Sequence, residues 1–141
     1  VGTWDVGPFD NDNAADFVGD LDELPEEERI GTLRSALATA AGEAAYLGDD
    51  EAVVAIAAAA IVAAAMPGGT PIDSSYGPEQ PIPPLPHDLV ALAVLALDRV
   101  LGDECETKDL WEHSGAGQEW LEGVDGIRQT LRSAAEAGLP G

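Results

Sequence analysis

Residues 10–16 read Asp-Asn-Asp-Asn-Ala-Ala-Asp, and so many oxygen-bearing side chains in one short stretch suit a metal cradle, an acid–base cluster or the start of a helix. Calcium loops of the EF-hand kind need oxygen ligands at positions one, three and five, a glycine at six and a glutamate at twelve. Counted from Asp10, position three is Asp12, but five is Ala14, six is Ala15 and twelve is Leu21, so that loop is excluded. A looser divalent-metal site built from Asp10, Asp12 and Asp16 stays open, and with it a small enzyme or metal protein that uses this acidic segment. The favoured reading is local. Asn11, Asp12 or Asn13 serves as the N-cap of a first helix, accepting a bond from an unpaired backbone N–H. Asp16 then reaches back as the second half of a capping box, while Phe9 and Phe17 brace the entry angle.

Other reactive groups are few. His87 and His113 are the two histidines and Cys105 the one thiol. Cys105 and His113 are eight positions apart across an expected helix start, with no third group to orient the base as nucleophilic catalysis requires. Two histidines and one cysteine reach the three protein ligands of a catalytic zinc only by long-range convergence. Gly68-Gly69 lacks the Lys-Ser/Thr of a phosphate loop. Carboxylate pairs such as Asp20 with Asp22 or Glu23 carry little information when 27 of 141 residues are acidic. No catalytic residue and no cofactor are assigned on this basis.

The elements that would hold these groups are helical. Apolar residues recur at helical spacing and no period-two alternation appears. The expected helices run from residues 11–13 to about 24, from 25 to about 45, from 49 to 66, from about 87 to 101, a short one capped by Thr107 and carrying Leu110 and Trp111, and from about 118 to 137. Ile30, Leu33, Leu37, Ala40 and Ala44 mark one buried stripe. Leu89, Leu92, Val94, Leu95, Leu97, Val100 and Leu101 mark another. The apolar run from Ala52 to Met66 is short of the roughly 20 residues a membrane span needs and reads as an enclosed central helix. Residues 67–86 contain seven prolines and three glycines, which breaks both helix and strand. The expectation is a single all-α domain over 1–141. It is a bundle of five to six helices with an aromatic arm at 1–10 and a Pro/Gly-rich loop at 67–86.

Gly2-Thr3-Trp4, then Gly7-Pro8-Phe9-Asp10-Asn11-Asp12 and Ala14-Ala15-Asp16-Phe17, resembles the opening of a family of small bacterial proteins, the domain-of-unknown-function family 4259. The likeness continues through Leu85-Pro86, Leu97-Asp98-Arg99-Val100-Leu101 and Leu110-Trp111-Glu112. The resemblance implies one small domain and brings no activity or catalytic residue with it.

Charge is the strongest global feature: six Lys and Arg against 27 Asp and Glu leave a net charge of −21. Many of the acids stand at expected helix starts, where the macrodipole favours them. Residues 103–125 nevertheless carry eight acids and a single base, Lys108, beside two tryptophans. Such a field repels nucleic acid and anionic lipid and attracts basic proteins. The expected function is therefore non-catalytic binding of a basic protein, as by an immunity protein, antitoxin or nucleic-acid mimic. The face around Glu112, Glu119, Glu122 and Asp125 is the candidate surface. Direct nucleic-acid and membrane contact are not expected. One cysteine excludes an internal disulfide and fits a reducing cytoplasm, and a monomer is favoured.

Overall fold

The computed structural model describes residues 11–66 and 85–136, and these form six helices. They are α1 (Asp12–Glu23), α2 (Glu26–Ala41), α3 (Asp49–Ala64), α4 (His87–Leu101), α5 (Glu106–Glu112) and α6 (Gly117–Glu136). The protein is an all-α bundle built around α3. The arm at 1–10 and the loop at 67–84 lie outside the described residues. None of the helices among the described residues is long and apolar enough to cross a membrane.

Alanine explains why α3 can be the axis. From Ala52 to Ala63 all its residues except Val54 are buried, and it touches each of the other five helices. A helix coated in methyl groups lets its neighbours approach closely on every side. The larger side chains that fill the remaining space, Leu21, Leu33, Leu37, Leu89, Leu97 and Leu131, come from those neighbours. The outer arrangement is uneven. Helix α1 meets only α2 and α3, whereas α4 packs against α2, α3, α5 and α6. The α1–α2 pair thus stands away from α5 and α6.

Helix α1 is capped by Asn11, whose backbone is extended and whose side-chain Oδ1 accepts the N–H of Ala14 at 2.8 Å, while its carbonyl oxygen accepts the N–H of Ala15 at 3.0 Å. Asp12 and Asn13 lie inside the first turn instead. The third residue past the cap is Ala14, so Asp16 is two positions too late for the reciprocal half of a capping box and faces solvent. Asn13 has a different partner: its Nδ2 donates to Asp50 Oδ1 at 2.8 Å and ties the start of α1 to the start of α3.

Helix α2 ends four residues earlier than its apolar spacing predicts. Gly42 closes it by donating to Ala38 O, and Ala44 is exposed. The freed chain is needed elsewhere. Leu47 donates to Glu104 O at 2.8 Å and accepts from Glu106 N at 2.9 Å, forming a single parallel bridge with Cys105. Arg99, in the last turn of α4, fastens both sides of this crossing. Its guanidinium donates to Glu43 O at 2.8 Å, Asp103 O at 3.0 Å, Glu104 O at 3.2 Å and also to Ala45 O.

Thr107 is likewise not the cap of α5. That position is held by Cys105 with no side-chain bond, and Thr107 is buried inside the first turn. Its hydroxyl donates to Asp49 Oδ1, while Glu106 Oε1 accepts the Asp49 N–H at 2.9 Å. Both residues therefore complete the N-terminus of α3 from a distance. Leu95, counted with the apolar stripe of α4, is 57 % exposed.

Two outcomes follow for stability. Ala58 is wholly buried in α3, so Ala58→Leu should overpack the axis and lower unfolding free energy by about 1–3 kcal/mol, read by urea denaturation. Glu104 adopts φ 59°, a region that disfavours a Cβ. Glu104→Gly should raise the midpoint of the same transition, or at worst leave it unchanged.

Candidate protein-interaction face

The two helices that carry the four candidate partner-binding acids meet at a tight corner. Gly117 opens α6 so close to the end of α5 that an added Cβ would lie 2.3 Å from the Trp111 carbonyl oxygen. Only glycine fits there. This approach brings the rings of Trp111 and Trp120 into a stack, with centroids 6.2 Å apart and planes 9° from parallel. Trp120 is buried and Trp111 half-buried. Beside the stack a 420 Å³ cleft opens, with Trp120 and Leu121 as apolar wall and Lys108, Glu112, Ser114 and Gln118 as polar wall.

The structure does not place the four acids alike. Glu119 and Glu122 are exposed on the outer side of the first turns of α6, and Glu122 accepts from Gln118 Nε2 at 3.0 Å. Glu112 is exposed at the end of α5, with Lys108 Nζ 3.8 Å from its Oε1. Asp125 belongs to a different assembly. It accepts from Gln129 at 3.0 Å and from Arg128 at 2.7 Å, and these two contacts hold its carboxyl below the usual aspartate range. Arg128 also donates to Asp98 Oδ1 of α4 at 3.0 Å, and Arg132 donates to the same oxygen at 2.8 Å. Burial works against the charge on Arg128, but its bonds to Asp125 and Asp98 more than offset this and push its pKa up. Asp125 thus helps lock α6 to α4.

The remaining cations are also engaged with the protein itself. Arg34 Nη1 meets Asp88 Oδ2 at 2.6 Å across the α2–α4 seam, which holds Asp88 below its ordinary range. Arg29 donates from Nε to Leu24 O at 3.1 Å across the α1–α2 turn. Arg99 clamps the loop crossing, and Lys108 Nζ lies 3.4 Å from Gly102 O. All six basic side chains of the chain are accounted for in these contacts. At the other edge of α5, half-exposed Tyr46 donates its hydroxyl to Asp109 at 2.9 Å, and that bond pushes the phenol up to about 12.

The other reactive groups do not converge. Cys105 is buried, and burial pushes its thiol up, the reverse of what a thiolate nucleophile needs. His113 is exposed, and its Nδ1 lies 2.7 Å from the Asp109 carbonyl. A carbonyl can only accept, so this nitrogen carries the proton. His87 is exposed in the first turn of α4. Asp12 and Asp16 are exposed on α1, and Asp10 lies outside the described residues. Among the described residues no three His, Cys, Asp or Glu side chains are grouped as a metal site.

The model of a domain of unknown function (DUF4259) matches residues 2–123. The chain belongs to this family. The DUF4259 match covers α1 to α5 and the opening of α6, including Glu112, Glu119, Glu122 and the stacked tryptophans, and stops before Asp125 and Arg128. Neither a curated protein nor a solved structure matches the chain.

The depressed carboxyl of Asp125 sets a direction with pH. A group with a lowered folded-state pKa contributes stability that is fully present above its unfolded value of about 3.9 and is lost as pH falls through the folded value. Asp125→Asn should therefore be less stable than wild type near neutrality. Its urea midpoint should then fall less steeply between about pH 5 and pH 1, so the two curves converge in acid.

Proposed function

We propose that this chain is a non-catalytic binding module that recognises a basic protein through the acidic face of α5 and the first half of α6. It would act as a monomer in the cytoplasm, in the manner of an immunity protein, antitoxin or nucleic-acid mimic. One observation carries this reading. Only six cations, all engaged in contacts within the protein, stand against 27 acids, and the net charge is −21. Such a field steers positive partners and repels polyanions.

Acids are also found where helix stability does not ask for them. Asp20, Asp22 and Glu23 stand in the last turn of α1, which holds no basic residue, at the end where the macrodipole disfavours negative charge. Asp22 has a partner of its own, but Asp20 and Glu23 are simply exposed. An acid-rich surface retained against local stability fits a role in recognition. The face at α5 and α6 is preferred over the α1 end because there the acids border a cleft with one apolar wall and an aromatic stack, the mixture that anchors interfaces.

The test compares two triple charge reversals of equal net change. Wild type, Glu112→Lys/Glu119→Lys/Glu122→Lys and Asp20→Lys/Glu23→Lys/Glu27→Lys are immobilised and exposed to cell lysate at about 0.02 M and about 0.5 M salt. Wild type should retain a basic protein at low salt and release it at high salt. Reversal on α5 and α6 should cut retention at least about ten-fold, and reversal on α1 and α2 by less than about three-fold. Equal loss in both, or no basic protein retained by wild type at low salt, would sink the reading.

A further inference from the structure

We infer that the 420 Å³ cleft between α5 and α6 is the seat for one arginine side chain of the basic partner, an assignment that rests on the acid-recognition reading above. An arginine needs an apolar wall for its methylene stem and several acceptors in a plane for its guanidinium fork. The cleft has both. Trp120, held rigid by its stack on Trp111, and Leu121, 37 % exposed, form the apolar wall. An exposed leucine beside a buried tryptophan is apolar surface that an inserted stem would cover.

The acceptors are available. Lys108 Nζ stands 3.8 Å from Glu112 Oε1, beyond hydrogen-bond length, so the Glu112 carboxylate keeps its lone pairs for a better donor. Gln118 must present its amide N–H₂ to Glu122, because a carboxylate only accepts, and at 3.0 Å that bond fixes the amide. Its carbonyl oxygen is thereby turned into the acceptor role. Lys108 lines the cleft, with its ammonium 3.4 Å from the Gly102 carbonyl and 3.8 Å from Glu112, and an arginine that bonds Glu112 would shift it toward Gly102. Glu119 and Glu122, exposed on the adjoining turns, add negative potential. A planar guanidinium bonded to Glu112 and the Gln118 carbonyl satisfies these groups together, which the compact head of lysine does not.

Gly115 gives the means to test this without touching charge. It lines the cleft, and a Cβ there meets nothing within 4 Å. Gly115→Leu therefore adds a bulky side chain at the border of the cleft without a clash at Cβ. The probe is a capped hexa-arginine peptide titrated into the ¹⁵N-labelled full chain at about 0.02 M salt, with the indole N–H resonances of Trp111 and Trp120 as readout.

Wild type should show saturable shifts of both indoles. Gly115→Leu should weaken the fitted affinity at least about ten-fold and Glu112→Gln several-fold. Glu26→Gln/Glu27→Gln, on a helix that does not touch α5 or α6, should change it by less than about two-fold. Peptide bound equally well by Gly115→Leu and Glu112→Gln as by wild type would overturn the cleft assignment and leave acid recognition standing. No binding by wild type at low salt would overturn both.

Discussion

Positive charge is the scarce material in this protein, and the structure is arranged around that scarcity. Each of the six cations sits at a seam. Arg29 closes the α1–α2 turn, Arg34 joins α2 to α4, Arg128 and Arg132 join α6 to α4, Lys108 lies against the end of α4, and Arg99 gathers four carbonyls from two loops. Guanidinium groups suit this use because five N–H donors in a rigid plane can satisfy several acceptors at once. With all six cations engaged in contacts within the protein, the 27 acids leave a net charge of −21.

The interior makes the opposite choice. An axis made largely of alanine lets five neighbouring helices approach α3 closely. Register comes from the polar contacts at helix ends: Asn13 to Asp50, Glu106 and Thr107 to Asp49, and the Leu47–Cys105 bridge. An aliphatic core and specific ends together explain how a chain with 5 % aromatic residues forms a defined bundle. The aromatic stack of Trp111 on Trp120 lies at the α5–α6 corner rather than at the centre.

Much of the helical layout is legible in the sequence because helix starts and stops have local causes. The enclosed character of α3 follows from Val53, Val54, Ile56, Ile61 and Val62 lying around its circumference among alanines, and of these all but Val54 are buried. What the sequence hides is long-range. Spacing carries α2 on to Ala45, but the backbone of residues 43–47 is taken by Arg99 and Glu104, partners more than fifty positions away. Thr107 looks like a cap because its local pattern is that of one, and its real partner is Asp49. In the acidic opening three residues have the chemistry of a cap, and only backbone geometry singles out Asn11. At the candidate face, charge counting finds Glu112, Glu119, Glu122 and Asp125 as equals. It has no means to see that Asp125 is drawn into the Arg128 network, or that Gly115, Gly117 and Leu121 shape a cleft beside the other three.

If the cations are structural fasteners, the most direct measurement is urea unfolding of Arg99→Gln at low and at high salt. A loss of about 2 kcal/mol is predicted, the scale of hydrogen bonds made by a charged donor. It should persist at high salt, because the contacts are direct bonds to carbonyls rather than exposed charge pairs. An unchanged midpoint, or a loss that vanishes with salt, would show that Arg99 is a surface charge and that the account of the cations as structural fasteners does not hold.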